Sequence, residues 1–239
     1  THIKNEQGYQ IAAQSGPGQV SLIKVRLRKT MMGTIRRTQS QESITVPVEG
    51  KITSMIFDEA YNSLLIGTSF GQIFRADLEN TQNSAQLIGA TSNPGIAVEH
   101  LGFTLGGYTL IVTESDGRVS SFQLAKSETK IFSLKKIYNF SSHKTPAKFF
   151  SFSLRNKGFL TGSNEMIRLH YGTTGETQIQ LPAEEKTAYK TAIIAPKFDG
   201  ILTADTQGIL YLWKMENPYP QISLEGLFGE IWYEGYEEP

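Results

Sequence analysis

The side chains that could do chemistry in this sequence are few and lie far apart. The histidines are His2, His100, His143 and His170, and none has a spacing typical of metal ligands, such as His-x-Glu or His-x-x-x-His. His100 lies in the apolar stretch VEHLGF, which favours a hydrogen-bonded histidine of the core. The sequence therefore predicts no metal site.

Motifs of nucleophilic and phosphate chemistry are also missing. The chain has no cysteine, which excludes disulfides, thiol nucleophiles and zinc–thiolate sites. It has no Gly-x-Ser-x-Gly elbow. The glycine-rich SGPG at 15–18 is interpreted as a hairpin rather than a phosphate-binding loop, because Pro17 lacks an N–H and no helical pattern follows. Asp116 and Asp205 precede turn glycines, where their carboxylates can cap the turn. We expect no enzyme activity and no cofactor, although separate repeats could still assemble a site in a central channel.

Composition narrows the class of protein further. The 239 residues are 39% hydrophobic, and 23 basic residues balance 23 acidic ones, so no overall positive field attracts nucleic acid. No apolar run approaches the about 20 residues of a membrane span, and no signal peptide is visible. Because Thr1 is not an initiator methionine, we expect the chain to be processed or excised from a longer one.

One pattern recurs along the chain. TADTQGILYLW (203–213) has an apolar run, a turn and an alternating strand. Similar stretches are AAQSGPGQVSL (12–22), IGTSFGQIFRA (66–76), VTESDGRVSSF (112–122) and LTGSNEMIRLH (160–170). The turn positions are Gly18, Gly71, Gly117, Glu165 and Gly208. A period of roughly 40–50 residues with several strands per copy is typical of a β-propeller.

Each copy contains short strand patterns and no helical ones. The second copy reads ITSMIF, LLIGT, QIFRA and AQLIG, which predicts four strands separated by polar turns, and the fifth ends in QISLE. The second strands are nearly continuous apolar runs, which predicts burial on both faces. The first copy begins at GYQIAAQ without an innermost strand, so either strands from both ends close the ring or earlier blades are missing. We therefore expect an all-β chain with a propeller, or part of one, over 1–226.

Aromatic residues end the third strands. Trp213 alternates with Ile209 and Tyr211, which predicts packing between neighbouring blades rather than ligand stacking. The same role is expected in other copies for Phe74, Phe122 and Tyr171.

Charge is distributed unevenly. Residues 24–37 contain six basic residues and no acid. This run is interpreted either as the solvated face of a strand or as a contact for an acidic partner or anionic lipid. Residues 219–239 contain acids and no base. The basic residues are Lys24, Arg26, Arg28, Lys29, Arg36 and Arg37; the acids are Glu225, Glu230, Glu234, Glu237 and Glu238.

Two resemblances to known families follow from these residues. ADTQGILYLW is similar to the third-strand pattern of WD40-like propellers, with Asp205, Gly208 and Trp213 in order, whereas the other copies lack the terminal tryptophan and every copy lacks the Gly-His pair. LFGEIWYEGYEEP (227–239) resembles the segment that precedes the membrane domain in long-form permease subunits of bacterial phosphate ABC importers.

The second resemblance implies a non-catalytic accessory domain on the periplasmic side of the inner membrane, tethered to the bilayer in the full-length protein. Its partners would be other importer subunits, the periplasmic phosphate-binding protein, another periplasmic protein or a second copy of itself. Residues 227–239 would form the linker toward the membrane, since tryptophan and tyrosine favour the membrane–water interface. The residues expected to face a partner or the membrane are Trp232, Tyr233, Tyr236, Arg36 and Arg37.

The main alternative is a self-standing WD40-like scaffold of the envelope or cytosol. A propeller enzyme would require buried carboxylates or a metal at the mouth of the channel. Direct phosphate binding near Arg36 is the remaining alternative.

Overall fold

The computed structural model describes residues 1–5, 8–31, 33–48, 50–58, 62–79, 84–91, 95–129, 131–196 and 200–215. Within these ranges the chain is built from β-strands and contains no helix, which confirms the all-β prediction. The strands form five antiparallel sheets in chain order. Four of the sheets have four strands, and the fifth has three described strands.

The strand bounds follow the sheets. Sheet 1 contains β1 (His2–Asn5), β2 (Gly8–Gly16), β3 (Gln19–Lys29) and β4 (Ile35–Thr45). Sheet 2 contains β5 (Ile52–Asp58), β6 (Ser63–Thr68), β7 (Gln72–Asp77) and β8 (Gln86–Ala90). Sheet 3 contains β9 (Val98–Phe103), β10 (Thr109–Glu114), β11 (Val119–Lys126) and β12 (Phe132–Asn139). Sheet 4 contains β13 (Phe149–Phe152), β14 (Gly158–Gly162), β15 (Met166–Tyr171) and β16 (Glu176–Pro182), and sheet 5 contains β17 (Tyr189–Ile194), β18 (Gly200–Asp205) and β19 (Leu210–Lys214).

The expectation that the first copy lacks an innermost strand is wrong. β1 pairs with β2 in the register His2↔Ile11, and the ammonium group of Thr1 donates to the carbonyl oxygen of Ala12. Sequence patterning missed this strand because HIKN is short and mostly polar, and backbone pairing rather than an apolar run holds it in place. The expected fourth strand of the fifth copy, QISLE (221–225), lies outside the described residues.

Apolar clusters fill the space between each pair of consecutive sheets. Leu22 of sheet 1 packs in one cluster with Leu64 and Ile66 of sheet 2. Separate clusters join sheets 2 and 3, sheets 3 and 4, and sheets 4 and 5. Burial of one such side chain stabilises the fold by about 1.5–3 kcal/mol, so the interfaces between sheets constitute the core.

The second strands show which faces these interfaces cover. β6 and β14 are buried at every residue, and β10 is buried at every residue except Thr109, as predicted. The second strands of the two terminal sheets, β2 and β18, instead expose part of their residues, because the described structure covers only one face of each of these sheets. Ile193 and Leu210 lie on the open face of sheet 5, and Leu210 is 68% exposed.

The recurring turn begins with a hydroxyl residue that holds the start of the first strand. In three sheets its side-chain oxygen accepts a hydrogen bond from the backbone N–H of the residue just before that strand, and its own N–H donates back to that residue's carbonyl. The pairs are Lys51–Ser69, Ala97–Ser115 and Ala188–Thr206. A hydroxyl residue at this place thus ties the second strand to the entry of its own sheet.

The residue at the turn position, which is Glu165 in sheet 4 and glycine in sheets 1 to 3, ties its sheet to the linker that leads to the next. Its carbonyl oxygen accepts a hydrogen bond of 2.8 Å from the linker N–H in each of four sheets. The pairs are Gly18–Val46, Gly71–Thr91, Gly117–His143 and Glu165–Ala183. Because the linker lies so close, a Cβ on Gly117 would come within 2.2 Å of the His143 carbonyl oxygen, and Gly117 also has a φ of 87°. Glycine at positions 18, 71 and 117 therefore has two physical causes, positive φ and close approach, whereas Gly208, among the described residues, has positive φ alone.

Alanine substitution separates these two causes. Gly107 has a φ of 74° and no described atom near its missing Cβ. We expect G107A to lower the free energy of unfolding by about 1–2 kcal/mol through backbone strain alone. G117A causes the same backbone strain and also displaces the linker at His143. We therefore expect it to lower the free energy of unfolding by about 1–3 kcal/mol more than G107A does. Urea denaturation of both variants measures the difference, and equal losses would show that close approach at Gly117 costs nothing.

Candidate functional site

The first strands of consecutive sheets lie side by side, so the sheets fan out from a common axis. A cleft of about 940 Å³, here called the axial cleft, opens between β1, β5, β9 and β13 at the end of the β9–β10 hairpin. Its walls include His100, Phe103, Phe150 and Phe152. Residues that are distant in sequence thus meet at one end of the fan.

Aromatic rings form one wall of the axial cleft. The rings of Phe150 and Phe152 are 4.5 Å apart at 66°, an edge-to-face contact, and His100 stacks on Phe150 at 6.0 Å. Gly102 makes room for this wall, since a Cβ there would lie 2.2 Å from the Phe152 ring. The ring of His100 is hydrogen-bonded through Nε2 to the Ala147 carbonyl oxygen at 3.1 Å, as expected for that histidine, but it is only half-buried because it faces the cleft.

Two neighbouring hairpins expose large side chains, and Tyr108 on one of them lines the axial cleft. Tyr108 on the β9–β10 hairpin is 66% exposed, and Leu154 on the β13–β14 hairpin is 75% exposed. The ammonium group of Lys157 donates to the carbonyl oxygen of Leu105, which links these two hairpins. Exposed apolar side chains grouped around a concave site mark surfaces that bind other molecules.

Sheet 4 contains a buried chain of polar side chains that the sequence spacing concealed. The Thr161 hydroxyl lies 2.8 Å from Nε2 of both His143 and His170. The Nδ1 atoms contact Arg168 Nη1 at 3.1 Å and the Thr177 hydroxyl at 2.9 Å. The two histidines are 27 positions apart by their numbers. The register of β14 and β15 places Thr161 beside His170, and His143 reaches Thr161 from the linker that precedes β13.

Burial keeps both histidines neutral. Desolvation, followed by the positive charge of Arg168, lowers the pKa of His143 to about 4. Desolvation, followed by the charges of His143 and Arg168, lowers the pKa of His170 to about 3. The His170 ring also stacks on Phe159 at 4.9 Å. All four ring nitrogens of the pair contact protein groups, so this enclosed chain stabilises the fold.

The depressed pKa values predict loss of stability in acid. Both histidines take up protons in the unfolded chain near pH 6.5 but resist protonation when folded, so their contribution is complete above that pH and is lost as pH falls toward about 4 and then about 3. Each adds about 1.4 kcal/mol per pH unit to the slope of the unfolding free energy. We expect H143N to lower the slope of the unfolding free energy against pH by about 1.4 kcal/mol per pH unit between pH 6 and 4.5. Urea denaturation over that pH range measures this slope. The exposed His2 provides the control H2N, and an unchanged slope in H143N would contradict the assignment.

The structure also locates the basic residues singled out in the sequence. Arg36 and Arg37 lie on β4 and are exposed. Lys24 of the same run is not a free charge, because its ammonium group binds Glu42 at 2.9 Å and the Leu78 carbonyl oxygen at 3.0 Å. The other expected contact residues, Trp232, Tyr233 and Tyr236, lie outside the described residues, as does the whole of 227–239.

Trp213 has the structural role predicted for it. Its ring packs against the cluster between sheets 4 and 5, and Nε1–H donates to the Thr203 hydroxyl at 3.1 Å. Phe74 and Phe122 are likewise buried between sheets. In sheet 4 the corresponding ring belongs to His170 rather than Tyr171, because the turn with Glu165 is one residue shorter.

Asp116 and Asp205 accept hydrogen bonds from turn N–H groups, as expected. In the part of the chain that the structure describes, no group of three or more His, Cys, Asp or Glu side chains could hold a metal ion. Over the same residues, no helix has the length and apolar character needed to cross a membrane.

Comparison with known proteins identifies the fold. No protein-family model and no curated protein sequence matches the chain. The β-propeller domain of Cps50 (Swd1) from Myceliophteria thermophila superposes with a TM-score of 0.64 at 14% identity, covering 89% of this chain and 68% of that one. The WD40 β-propeller domain of Doa1 gives 0.58 at 15% identity, covering 90% and 64%. The chain therefore has a WD40-like β-propeller fold made of four-stranded blades.

Proposed function

We propose that this domain is a non-catalytic scaffold that binds another protein through the axial cleft. The observation that supports this function most directly is the open, aromatic-walled cleft with the exposed Tyr108 in its lining. Lys157 links the Tyr108 hairpin to the neighbouring β13–β14 hairpin, where Leu154 is exposed. A WD40-like fold with such a surface fits a protein-interaction role.

The chemistry of the cleft indicates the kind of segment it would bind. Its walls offer ring faces and edges, and its volume of about 940 Å³ accommodates several side chains. Central aromatic and aliphatic anchors carry most of the binding energy in protein interfaces. We infer a partner segment with an aromatic or branched aliphatic anchor, which inserts beside Phe152 while Tyr108 excludes water at the edge of the cleft.

Site-specific photo-crosslinking tests this function in cells of the source organism. A photoreactive residue at Leu154 should capture a discrete partner, and Y108S should reduce the yield by roughly tenfold, as expected when an interface anchor is lost. F70S is the matched control, since Phe70 is an exposed aromatic residue on the β6–β7 turn, away from the cleft. Equal capture by Y108S and F70S would contradict docking at the axial cleft.

We further propose a finer identity, in which this domain is the periplasmic accessory domain of a phosphate-importer permease. Its support is the resemblance of LFGEIWYEGYEEP (227–239) to the pre-membrane segment of that family. Its partners would then be the importer's other subunits and its periplasmic phosphate-binding protein.

Sequencing the gene beyond both ends of this chain tests the finer identity. The proposal expects an apolar run of about 20 residues soon after Pro239 and another before Thr1. A stop codon near Pro239 would refute it and leave a self-standing scaffold.

A further inference from the structure

The described residues 26–31 and 33–37 of the β3–β4 hairpin form a projecting basic arm, called here the basic arm. Its two strands are the longest in the described structure and pair along their whole length. The last register pair between β3 and β2 is Gly8↔Arg26, so beyond Arg26 the described backbone of the arm pairs only within its own two strands. The arm therefore stands out from sheet 1.

The arm concentrates positive charge that the described residues do not neutralise. Arg28 lies directly opposite Arg36, and Arg26 follows on the same face. None of these three side chains makes an ion pair with a described residue, in contrast to Lys24, which binds Glu42. Like charges directly opposite on paired strands are destabilising, so the arrangement favours an anionic group that binds between them.

Both faces of the arm can also receive aromatic rings. On the other face, the Arg37 guanidinium lies 5.9 Å from the centroid of the Tyr9 ring. Leu27 and Ile35 are exposed beside it. An occupant that carries both carboxylates and aromatic rings would satisfy the arm better than a simple anion, because guanidinium groups bind carboxylates and stack on rings.

We propose that the occupant of the basic arm is this chain's own C-terminal segment, residues 216–239. That segment contains no basic residue and has aromatic residues between its acids. The acids are Glu216, Glu225, Glu230, Glu234, Glu237 and Glu238; the aromatic residues are Tyr219, Phe228, Trp232, Tyr233 and Tyr236. The chain is neutral overall because such local excesses cancel.

The segment can reach the arm within one molecule. Fully extended, it spans up to about 80 Å from the end of β19, whereas a compact chain of this size has a radius of gyration of about 18 Å. Tethering raises its effective concentration at the arm to about the millimolar range. Intramolecular binding is therefore favoured over binding to a second copy, and this inference is independent of the proposed role of the axial cleft.

Engineered disulfides test the proposal, since the chain has no native cysteine. In the full chain, T34C at the tip of the arm is combined with G235C in the segment. T174C with G235C is the matched control, because Thr174 is an exposed threonine on the β15–β16 hairpin and is closer to the segment in sequence. We expect the T34C pair to form an intramolecular disulfide at least about tenfold faster than the control pair, owing to its higher effective concentration.

The effect of salt and of charge reversal on the disulfide rate shows whether electrostatic attraction brings the segment to the arm. About 1 M salt, which shortens the Debye length to about 3 Å, should remove the advantage of the T34C pair. Charge reversal of the arm by R26E, R28E and R36E should also remove it, and the added reversal E230R, E234R and E237R should restore it. Rescue would show that the reversed arm still folds.

Three outcomes would overturn the proposal: equal rates for the two cysteine pairs, a disulfide that forms only between two chains, or no effect of arm reversal on the rate. An anionic membrane is the competing occupant of the arm. If arm reversal abolishes sedimentation with vesicles that contain anionic phospholipid while the two disulfide rates are equal, the arm binds membrane and the proposal is wrong.

Discussion

The constraint on which the structure depends is that its middle sheets are apolar on both faces. A sheet with two apolar faces must lie between two others, and β6, β10 and β14 are the strands that impose this requirement. Leu64 and Ile66 point to one interface, and Leu65, between them in sequence, points to the other. Serial packing of sheets in chain order follows directly from this alternation.

The turn hydrogen bonds hold the successive sheets in a radial arrangement, with their first strands side by side. Each turn carbonyl at Gly18, Gly71, Gly117 or Glu165 holds the linker that leads away from its sheet, while Ser69, Ser115 and Thr206 hold the entry strands. These bonds fix the first strands side by side, and that placement assembles the axial cleft from several sheets. The cleft is thus a product of the repeat geometry and not of any local motif.

The parts of this fold that depend on local chemistry could be predicted from the sequence. A positive φ at Gly71 or Gly117 requires glycine, so the period of the propeller was visible, and Trp213 followed from strand alternation. β1 was missed because backbone pairing alone defines it. The His143–Thr161–His170 chain and the axial cleft were also missed, since each joins residues of different strands or sheets that no spacing rule connects. The like-charged pair on the arm became visible only when the register placed Arg28 opposite Arg36, where neither makes an ion pair with a described residue.

Hydrogen exchange of the native protein, followed residue by residue, tests the central claim that two-sided burial of the middle sheets holds the molecule together. Amides that open only with the most stable parts of a protein exchange slowest. The account predicts that β6, β10 and β14 exchange slowest, and that β2 and β18, each open on one face, exchange faster. Protection in β2 or β18 equal to that in β10 would contradict it.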